Sequence, residues 1–391
     1  MILLLKNGEI YAPDYVGIAD VLVLNGQIAA VERGIDITCT GLDIEVRNLR
    51  GMRLVPGFID NHVHIIGGGG EAGFYSRTPE VTLSSVTECG ITTVLGVLGT
   101  DGTTRHMETL LAKAKGLTQE GITAYIYTGS YELPLISLTG STRRDIVLVE
   151  EVIGTGEVAV SDHRSSVPTV EELTRIASDT RLGGMLSGKA GVLNLHMGSG
   201  KEGFSSILKV LKDTEIPIRH FLPTHVTRCR DLFEQSKIFA TLGGTIDMTA
   251  GMNEAGGFAG AVSVPDAVNL CLENGIAIDN ITISSDGNGS MALFDKTGRV
   301  ERLIVTKLSG LRREVKSLVA SGLDLSMALK PFTSNVARVF GFAKKGRIEV
   351  GRDADITILD GDMNVDSVIA RGVTMVESGK AVVRGTFEEQ R

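Results

Sequence analysis

Two histidines separated by one residue, His62 and His64, follow an apolar, β-prone run that starts at Val55. On a strand the side chains alternate between faces, so both imidazoles point to the same side, about 7 Å apart along the chain. Two imidazoles on one face at the end of a strand provide half of a metal site. A turn that holds two structural histidines explains the pair equally well, so later segments decide between the two interpretations.

Further side chains that bind metals fall at the ends of later apolar runs. The predicted strands 192–195, 221–224 and 281–285 are followed by His196, His225 and Asp286. Glu157 lies at the start or the mouth of another strand, depending on its register. Four of the seven histidines are thus found at strand ends, where the active sites of α/β barrels are built. This pattern favours a metal site over histidines buried in a core.

The stretch 55–345 alternates apolar β runs with helical stretches, and such alternation is typical of an α/β fold with a parallel sheet. About eight of these units predict a closed (β/α)8 TIM-like barrel. An open doubly wound sheet is the alternative. The glycine-rich stretches contain no GxGxxG fingerprint, and 67–70 is a plain run of glycines, so dinucleotide binding is not predicted.

Both ends of the chain differ from this middle. In 1–54, Asn25-Gly26 separates two β-prone runs, which is a strong signal for a hairpin. Residues 346–391 repeat the pattern of short strands and glycine turns. The simplest arrangement combines both ends in one small β-sandwich domain. We therefore predict one domain from 1–54 plus 346–391 and a barrel domain from 55–345.

Composition argues against several classes of function. The 391 residues carry a net charge of -8 and no basic block, so we expect no nucleic-acid partner. The scattered cysteines, without a CxxC pair, are typical of reduced thiols in a cytoplasmic protein; they are Cys39, Cys89, Cys229 and Cys271. The first apolar run is too short for a signal peptide or a membrane span, so we expect no membrane association.

Over essentially its whole length the chain resembles the isoaspartyl dipeptidases of the amidohydrolase superfamily. The matching segments are 56–64, 67–73, 98–101, 161–165, 196–198, 222–226, 284–290 and 351–356. The His-x-His and Asp-Ala-Asp segments occur across the superfamily, whereas 67–73, 161–165 and 284–290 are more specific to the dipeptidases. The resemblance implies hydrolysis of the β-aspartyl isopeptide bond of dipeptides by a homo-oligomer such as an octamer. Another amidohydrolase, such as a dihydroorotase or a hydantoinase, is one alternative, and an inactive barrel is the other.

The resemblance also implies a centre of two Zn2+ ions bridged by a hydroxide. The implied ligands are His62, His64 and Asp286 for one ion and His196 and His225 for the other. Asp286 would accept the proton of the attacking hydroxide and pass it to the leaving amine. Many members bridge the ions with a carboxylated lysine. Here Glu157 takes that position, with the same single negative charge on a shorter side chain. The alternative is that Glu157 is a solvated loop carboxylate and that the second metal site is weak or empty.

By the same resemblance, the substrate is bound by residues around this centre. Glu71 would bind the free α-amino group, with Gly69 and Thr100 nearby. Tyr131 would donate its hydroxyl to the developing oxyanion. The residues implied for the substrate carboxylates are Arg164, Arg228 and Ser290. The planar guanidinium fork of arginine matches a carboxylate with two hydrogen bonds. Taken alone, the arginines are typical of surface charges and Tyr131 of a packed loop residue.

Overall fold

The N-terminal strands belong to one sheet. The structure is a computed structural model, and it describes residues 2–37, 41, 43–254, 257–294 and 299–389. These strands are β1 (Ile2–Tyr11), β2 (Tyr15–Leu24), β3 (Gln27–Glu32), β4 (Ile44–Asn48) and β5 (Arg53–Pro56). β2 and β3 pair antiparallel on either side of Asn25-Gly26. Both turn residues have positive φ, as a type I′ turn requires. The predicted hairpin is confirmed.

In the described residues, the middle of the chain alternates strands with helices. The strands are β6 (Phe58–Val63), β7 (Ile91–Gly96), β8 (Thr123–Thr128), β9 (Val152–Val160), β10 (Val192–Met197), β11 (Phe221–Thr224), β12 (Ile246–Thr249) and β13 (Ile281–Ser284). The helices between them are α1 (Leu83–Thr87), α2 (Met107–Glu120), α3 (Thr142–Leu148), α4 (Val170–Ser187), α5 (Ser205–Asp213), α6 (Arg230–Thr241) and α7 (Val264–Glu273). Helix α4 begins at a capping box of Thr169 and Glu172, which the sequence predicts.

Six of these strands form a parallel sheet in the order β6-β7-β8-β9-β10-β11, and β12 pairs in parallel with β13. Single backbone bonds connect the two groups in the described residues. The amide of Val226 donates to the carbonyl of Asp247 at 3.3 Å, and that of His64 donates to Gly287 at 2.9 Å. The parallel α/β architecture is confirmed. The fully closed barrel stays a prediction, because the hydrogen-bonded ladders stop at these two places.

After β13 the chain forms a hairpin and helices and then returns to the N-terminal sheet. These elements are β14 (Ser290–Phe294), β15 (Val300–Val305), α8 (Gly310–Ala320), α9 (Leu325–Leu329), α10 (Ser334–Phe340), β16 (Ile356–Leu359), β17 (Val365–Ala370), β18 (Val373–Glu377) and β19 (Lys380–Ala381). The sheet order is β19-β18-β17-β16-β5-β1-β2-β3, with β4 beside β1. Both chain ends therefore share one hydrogen-bonded sheet. Its description as a sandwich and the exact domain limits stay predictions.

The interior face of the parallel strands is polar near the site. In β13, Ile281 and Ile283 belong to the main hydrophobic cluster, whereas Thr282 and Ser284 alternate with them and are also fully buried. Buried polar side chains need hydrogen-bond partners, so this face is where side-chain networks form. Among the described residues, none of the helices has the length and hydrophobicity needed to span a membrane.

Candidate metal centre

The histidines and Asp286 of the predicted metal site lie at the carboxyl ends of parallel strands. His62 and His196 occupy the last part of β6 and β10. His64 follows β6, His225 follows β11, and Asp286 lies two residues after β13. Strands that run in parallel bring these ends to one edge, where α/β enzymes place their sites.

Glu157 differs, because the structure places it inside a strand and not at its start. β9 continues to Val160. In its pairing with β10, the two residues Gly156 and Glu157 lie opposite the single residue Asn194. Such a bulge changes the direction of a side chain. A Cβ on Gly156 would lie 2.7 Å from the carbonyl oxygen of Asn194, so the bulge depends on glycine.

The two carboxylate oxygens of Glu157 face different histidines. Oε1 lies 3.2 Å from Nε2 of His62 and 3.8 Å from Nε2 of His64. Oε2 lies 3.1 Å from Nδ1 of His196 and 3.6 Å from Nε2 of His225. Glu157 is fully buried, which excludes a solvated loop carboxylate. A carboxylate between two pairs of imidazoles has the arrangement of a bridging ligand.

Asp286 completes one side of this cluster. Its Oδ1 lies 3.2 Å from Nε2 of His64 and 3.8 Å from Nε2 of His62. Among the described residues, three groups have ligand atoms within 4.8 Å of one another: His62, His225 and Asp286; His62, His64 and Glu157; and Glu157, His196 and His225. The groups share members and merge into one centre. Its six residues exceed the four ligands of one tetrahedral zinc ion.

Several buried atoms of the centre have no hydrogen-bond partner among the described residues. They are both ring nitrogens of His62, Nδ1 of His64 and Oε1 of Glu157. Although Nε2 of His62 is 3.2 Å from Oε1 of Glu157, the two lack hydrogen-bond geometry, as expected for lone pairs directed at a third point. A buried polar atom without a partner costs about 1–3 kcal/mol. Imidazole nitrogen and carboxylate oxygen bind zinc, so a metal ion fits Nε2 of His62 and Oε1 of Glu157, two of the atoms that the protein leaves unpaired.

The remaining ring nitrogens are oriented by neighbours outside the centre. Nδ1 of His225 lies 2.7 Å from Oγ1 of Thr249, which leaves Nε2 for the centre. Such partners fix the orientation of a metal-binding imidazole. His196 has a more crowded environment, with Nδ1 2.6 Å from the hydroxyl of Tyr131 and Nε2 3.2 Å from Oδ2 of Asp162. His196 therefore connects the centre to the predicted substrate residues.

The ionisable side chains of the centre shift one another's pKa values. Burial raises the pKa of the Glu157 carboxyl, but His62, His196 and His225 outweigh it and hold the pKa well below its usual range. Burial lowers the pKa of His62, but the carboxylates of Glu157 and Asp286 outweigh it and raise the pKa to about 9. For His225, burial lowers the pKa to about 3. Glu157 is therefore an anion and His225 a neutral imidazole at neutral pH, the forms that bind a cation, whereas His62 must release its proton to bind one.

Arg164 connects the predicted substrate residues. Its Nε and Nη2 donate to the two oxygens of Asp162 at 2.9 and 3.0 Å, and its Nη1 donates to Oε1 of Glu71 at 3.2 Å. The guanidinium lies 5.1 Å from the ring centre of Tyr131. Nη1 of Arg228 lies 4.0 Å from Asp162. The fold thus brings the predicted acid, both arginines and the tyrosine together beside the metal centre.

Gly69, Thr100 and Ser290 lie near Glu71. Gly69 and Thr100 line a cavity of about 260 Å³ together with Glu71. Gly69 has a φ of 76°, and a Cβ there would lie 2.5 Å from the Cβ of Ser290. Only glycine permits this close approach in that conformation. All the residues predicted for the site therefore lie in one region.

A family model described as the amidohydrolase family matches residues 53–375, which is most of the chain. This chain belongs to the amidohydrolase family. It is similar to the β-aspartyl dipeptidase of the thermophilic, keratin-degrading Fervidobacterium islandicum AW-1, whose structure was solved with a β-Asp-Leu dipeptide. The two are 44% identical, with a TM-score of 0.93, over 100% of this chain and 98% of that chain. A second structure of that dipeptidase is 43% identical over 100% of both chains, with a TM-score of 0.89.

Two more distant proteins share the fold or part of the sequence. The D-hydantoinase of Thermus sp. is 17% identical over 99% of this chain and 98% of that chain, with a TM-score of 0.69, which shows the fold alone. An adenine deaminase of Roseobacter denitrificans is 26% identical over 375 residues, or 93% of this chain. The chain spans about half, 55%, of the length of that curated relative.

Sequence analysis missed three residues that support this amidohydrolase site: Asp162, Arg105 and Thr249. Arg105 is buried and donates to the carbonyls of Gly68 at 2.7 Å and Gly69 at 3.0 Å, so it holds the glycine loop. Asp162 carried a local signal, because a carboxylate two residues before Arg164 is placed to orient it. Arg105 and Thr249 carried none, because their partners lie far away in the sequence.

The three cysteines that the structure describes belong to none of the ligand groups of this centre. Cys89, Cys229 and Cys271 are free, and Cys39 lies outside the described residues. Cys229 precedes α6 and occurs in none of the ligand groups found among the described residues. Its proximity to His225 in sequence therefore reflects the strand–helix connection.

Proposed function

We propose that this amidohydrolase is a zinc-dependent β-aspartyl (isoaspartyl) dipeptidase, which hydrolyses the isopeptide bond between a β-aspartyl residue and the following amino acid. The observation that carries the proposal is the cluster of Glu71, Arg164, Arg228 and Tyr131 beside the Glu157 carboxylate. The 44% identity over the whole chain to a β-aspartyl dipeptidase solved with β-Asp-Leu supports this substrate class.

The charges of the cluster match those of the substrate, which has a free α-amino group and two carboxylates. Oε1 of Glu71 pairs with Arg164, whereas its Oε2 is buried without a partner among the described residues and is available to an ammonium group. Arg164 already donates to both oxygens of Asp162 and to Glu71. Its Nη2 also lies 3.1 Å from Nε2 of His196, so the second hydrogen of Nη1 is left for a carboxylate. Arg228 and Ser290 provide further donors for the two carboxylates.

The metal ligands form two sets that Glu157 connects. His62, His64 and Asp286 would hold one Zn2+ ion, and His196 and His225 the other. When bound, the two ions would lower the pKa of a shared water and polarise the scissile carbonyl. Glu157 contributes one negative charge between them, as a lysine carbamate does, and the bulge at Gly156 offsets the shorter side chain because it turns the carboxylate into the centre.

Asp286 and Tyr131 are the residues that handle protons. Burial raises the pKa of the Asp286 carboxyl, but a hydrogen bond with His64 and the charges of nearby histidines lower it to about 2. Asp286 is therefore ionised at neutral pH and accepts the proton of the attacking water, which it transfers to the leaving amine. Burial raises the pKa of Tyr131 well above its usual value, so its hydroxyl stays protonated and donates to the oxyanion.

We also propose the architecture that this function uses. Strands β6–β13 form a closed (β/α)8 barrel over 55–345, and 1–54 plus 346–391 form a small β-sandwich domain. The parallel order of β6–β11 and the shared sheet of both chain ends support this division. The resemblance to the dipeptidases favours a homo-oligomer, and light scattering would measure the molar mass of the assembly.

The proposal is tested by hydrolysis of β-Asp-Leu, with α-Asp-Leu, hydantoin and adenine as comparison substrates. We expect turnover of β-Asp-Leu alone. Glu71→Gln removes one charge at constant size and should raise KM about 10–100-fold, since a hydrogen bond to a charged group contributes about 1.5–3 kcal/mol. Glu80→Gln, in a surface ion pair with Lys113, is the control and should leave KM unchanged. Turnover of hydantoin and no effect of Glu71→Gln would instead identify another amidohydrolase.

A further inference from the structure

One buried carboxylate near the metal centre accepts four hydrogen bonds from side chains. Asp247 is fully buried. Its Oδ1 accepts from Nδ2 of Asn61 at 3.0 Å and from Oγ1 of Thr282 at 2.6 Å. Its Oδ2 accepts from Oγ1 of Thr224 at 2.7 Å and from Oγ of Ser284 at 2.6 Å. These bonds use all four acceptor sites of a carboxylate, so the Asp247 carboxylate has no acceptor site left for another group.

In the described residues the donors lie on three strands, of which only β13 pairs directly with the strand of Asp247. They lie on β6, β11 and β13, and Asp247 itself lies on β12. In the described residues the ladders stop between β11 and β12 and between β13 and β6. The hydrogen bonds of the Asp247 side chain therefore connect β12 to β11 and to β6, across both places where the ladders stop. Asn61 and Asp247 are 186 residues apart, so this contact joins distant parts of the chain.

Three of the donors also adjoin predicted metal ligands. Asn61 directly precedes His62, Thr224 directly precedes His225, and Ser284 lies two residues before Asp286. A shift of any of these donors would move the backbone segment that carries the ligand. The two sets of ligands proposed for the two ions are represented here, since His62 and Asp286 belong to one set and His225 to the other.

We infer that Asp247 is a positioning residue for the metal centre. Through its four hydrogen bonds it fixes β6, β11 and β13 relative to one another and so sets the spacing between the ligands of both ions. None of its four hydrogen bonds goes to a substrate residue or to a proposed metal ligand, so it acts through its donors. The inference rests on the proposed function, because it concerns the metal centre of that same site.

Another buried carboxylate offers a matched control. Asp145, in α3, is fully buried. It accepts from Oγ1 of Thr128 at 2.5 Å, from the amide of Leu138 at 2.8 Å, and from the amide and Oγ1 of Thr139 at 2.8 and 2.7 Å. None of these donors adjoins a predicted metal ligand. The two aspartates are thus both fully buried and each accept four hydrogen bonds, but of the two only Asp247 is linked to the centre.

The experiment compares metal-free wild type, Asp247→Asn and Asp145→Asn. Zinc affinity is measured by competition with a chromophoric chelator, and stability by calorimetric melting. Asp247→Asn should bind zinc about 10–100-fold more weakly, the effect of losing an outer partner of a metal ligand. Asp145→Asn should melt at a lower temperature and keep the wild-type affinity. Equal affinity of Asp247→Asn and wild type, or an equal loss in both variants, would overturn the inference.

Thr224→Val and Ser284→Ala provide a milder test if Asp247→Asn does not fold. Each removes one of the four bonds, and each should weaken zinc binding several-fold and speed hydrogen exchange in β11 or β13 of the metal-free protein. Unchanged affinity and exchange in both variants would contradict the inference. The proposed function fails separately: wild type that binds zinc without hydrolysing β-Asp-Leu leaves the role of Asp247 intact, whereas wild type that binds no zinc refutes both.

Discussion

Two clusters of buried charge in this protein differ in how completely their polar atoms are paired. The metal centre leaves ring nitrogens of His62 and an oxygen of Glu157 without partners among the described residues. Around Lys345, in contrast, the ammonium donates to Oδ2 of Asp355 at 2.6 Å and to Oγ1 of Thr123 at 2.7 Å, and lies 2.9 Å from Oδ2 of Asp353. An ammonium has three donors, and all are used.

The contrast separates a site that receives a ligand from one that connects parts of the fold. Thr123 begins β8 and Asp355 precedes β16, so Lys345 links the parallel strands to the sheet of the chain ends. Burial lowers the pKa of Lys345, but the two aspartates outweigh it and raise the pKa above its usual value. Buried charge by itself is thus no sign of a functional site, and the unpaired ligand atoms are what distinguishes the metal centre from the Lys345 cluster.

The largest effect is expected from Glu157→Gln, which keeps the size of the side chain and removes its charge. Zinc affinity should fall more than about 100-fold, beyond the 10–100-fold effect of an outer partner, and β-Asp-Leu hydrolysis should fall with it. Zinc titration of the metal-free protein and steady-state kinetics measure both. Glu314→Gln, at a buried glutamate that accepts from the amide of Gly251, should leave zinc affinity unchanged. Tight binding of two ions by Glu157→Gln would remove Glu157 from the bridge.

A smaller effect, on stability alone, is expected from Lys345→Met. The substitution leaves Asp355 buried without its cation, and breaking a buried ion pair in this way costs about 3–5 kcal/mol. Urea unfolding measures the cost, and zinc affinity should stay at the wild-type value. Lys113→Met breaks a surface pair with Glu80 and should cost at most about 1 kcal/mol. A similar small cost for both variants would show that the Lys345 cluster is not a structural connection.

The smallest expected effect is the pH dependence of the contribution that Lys345 makes to the free energy of unfolding. The raised pKa of Lys345 means that its contribution is complete below the ordinary lysine value of 10.5 and is lost as pH rises through the folded-state pKa. The difference in unfolding free energy between wild type and Lys345→Met should therefore be constant up to about pH 10 and then decrease. Unfolding curves of both proteins at a series of alkaline pH values measure it. A difference that grows above pH 10 would mean that the proton on Lys345 destabilises the fold.

Local patterns were sufficient for the hairpin, for the capping box and for the ligand types at the strand ends, whereas the substrate residues were implied by the resemblance to the dipeptidases. The Asn25-Gly26 turn forms the hairpin it predicts, because both residues accept positive φ. The capping box at Thr169 begins α4 where expected. His62, His196 and Asp286 were found because the ends of parallel strands meet at one edge, so that a position along the sequence translates into a position in space.

Long-range features were decided only by the tertiary structure. The bulge that aims Glu157 depends on the pairing of β9 with β10, and the prediction placed that residue at the start or mouth of a strand. The bond from Asn61 to Asp247 joins residues 186 positions apart, and no local pattern encodes it. The sequence by itself therefore determined which ligand types lie at which strand ends, because strand periodicity and turn chemistry are local. The fold decided which of them share an ion-sized space and what holds them there, since that depends on strand pairing and packing across the whole chain.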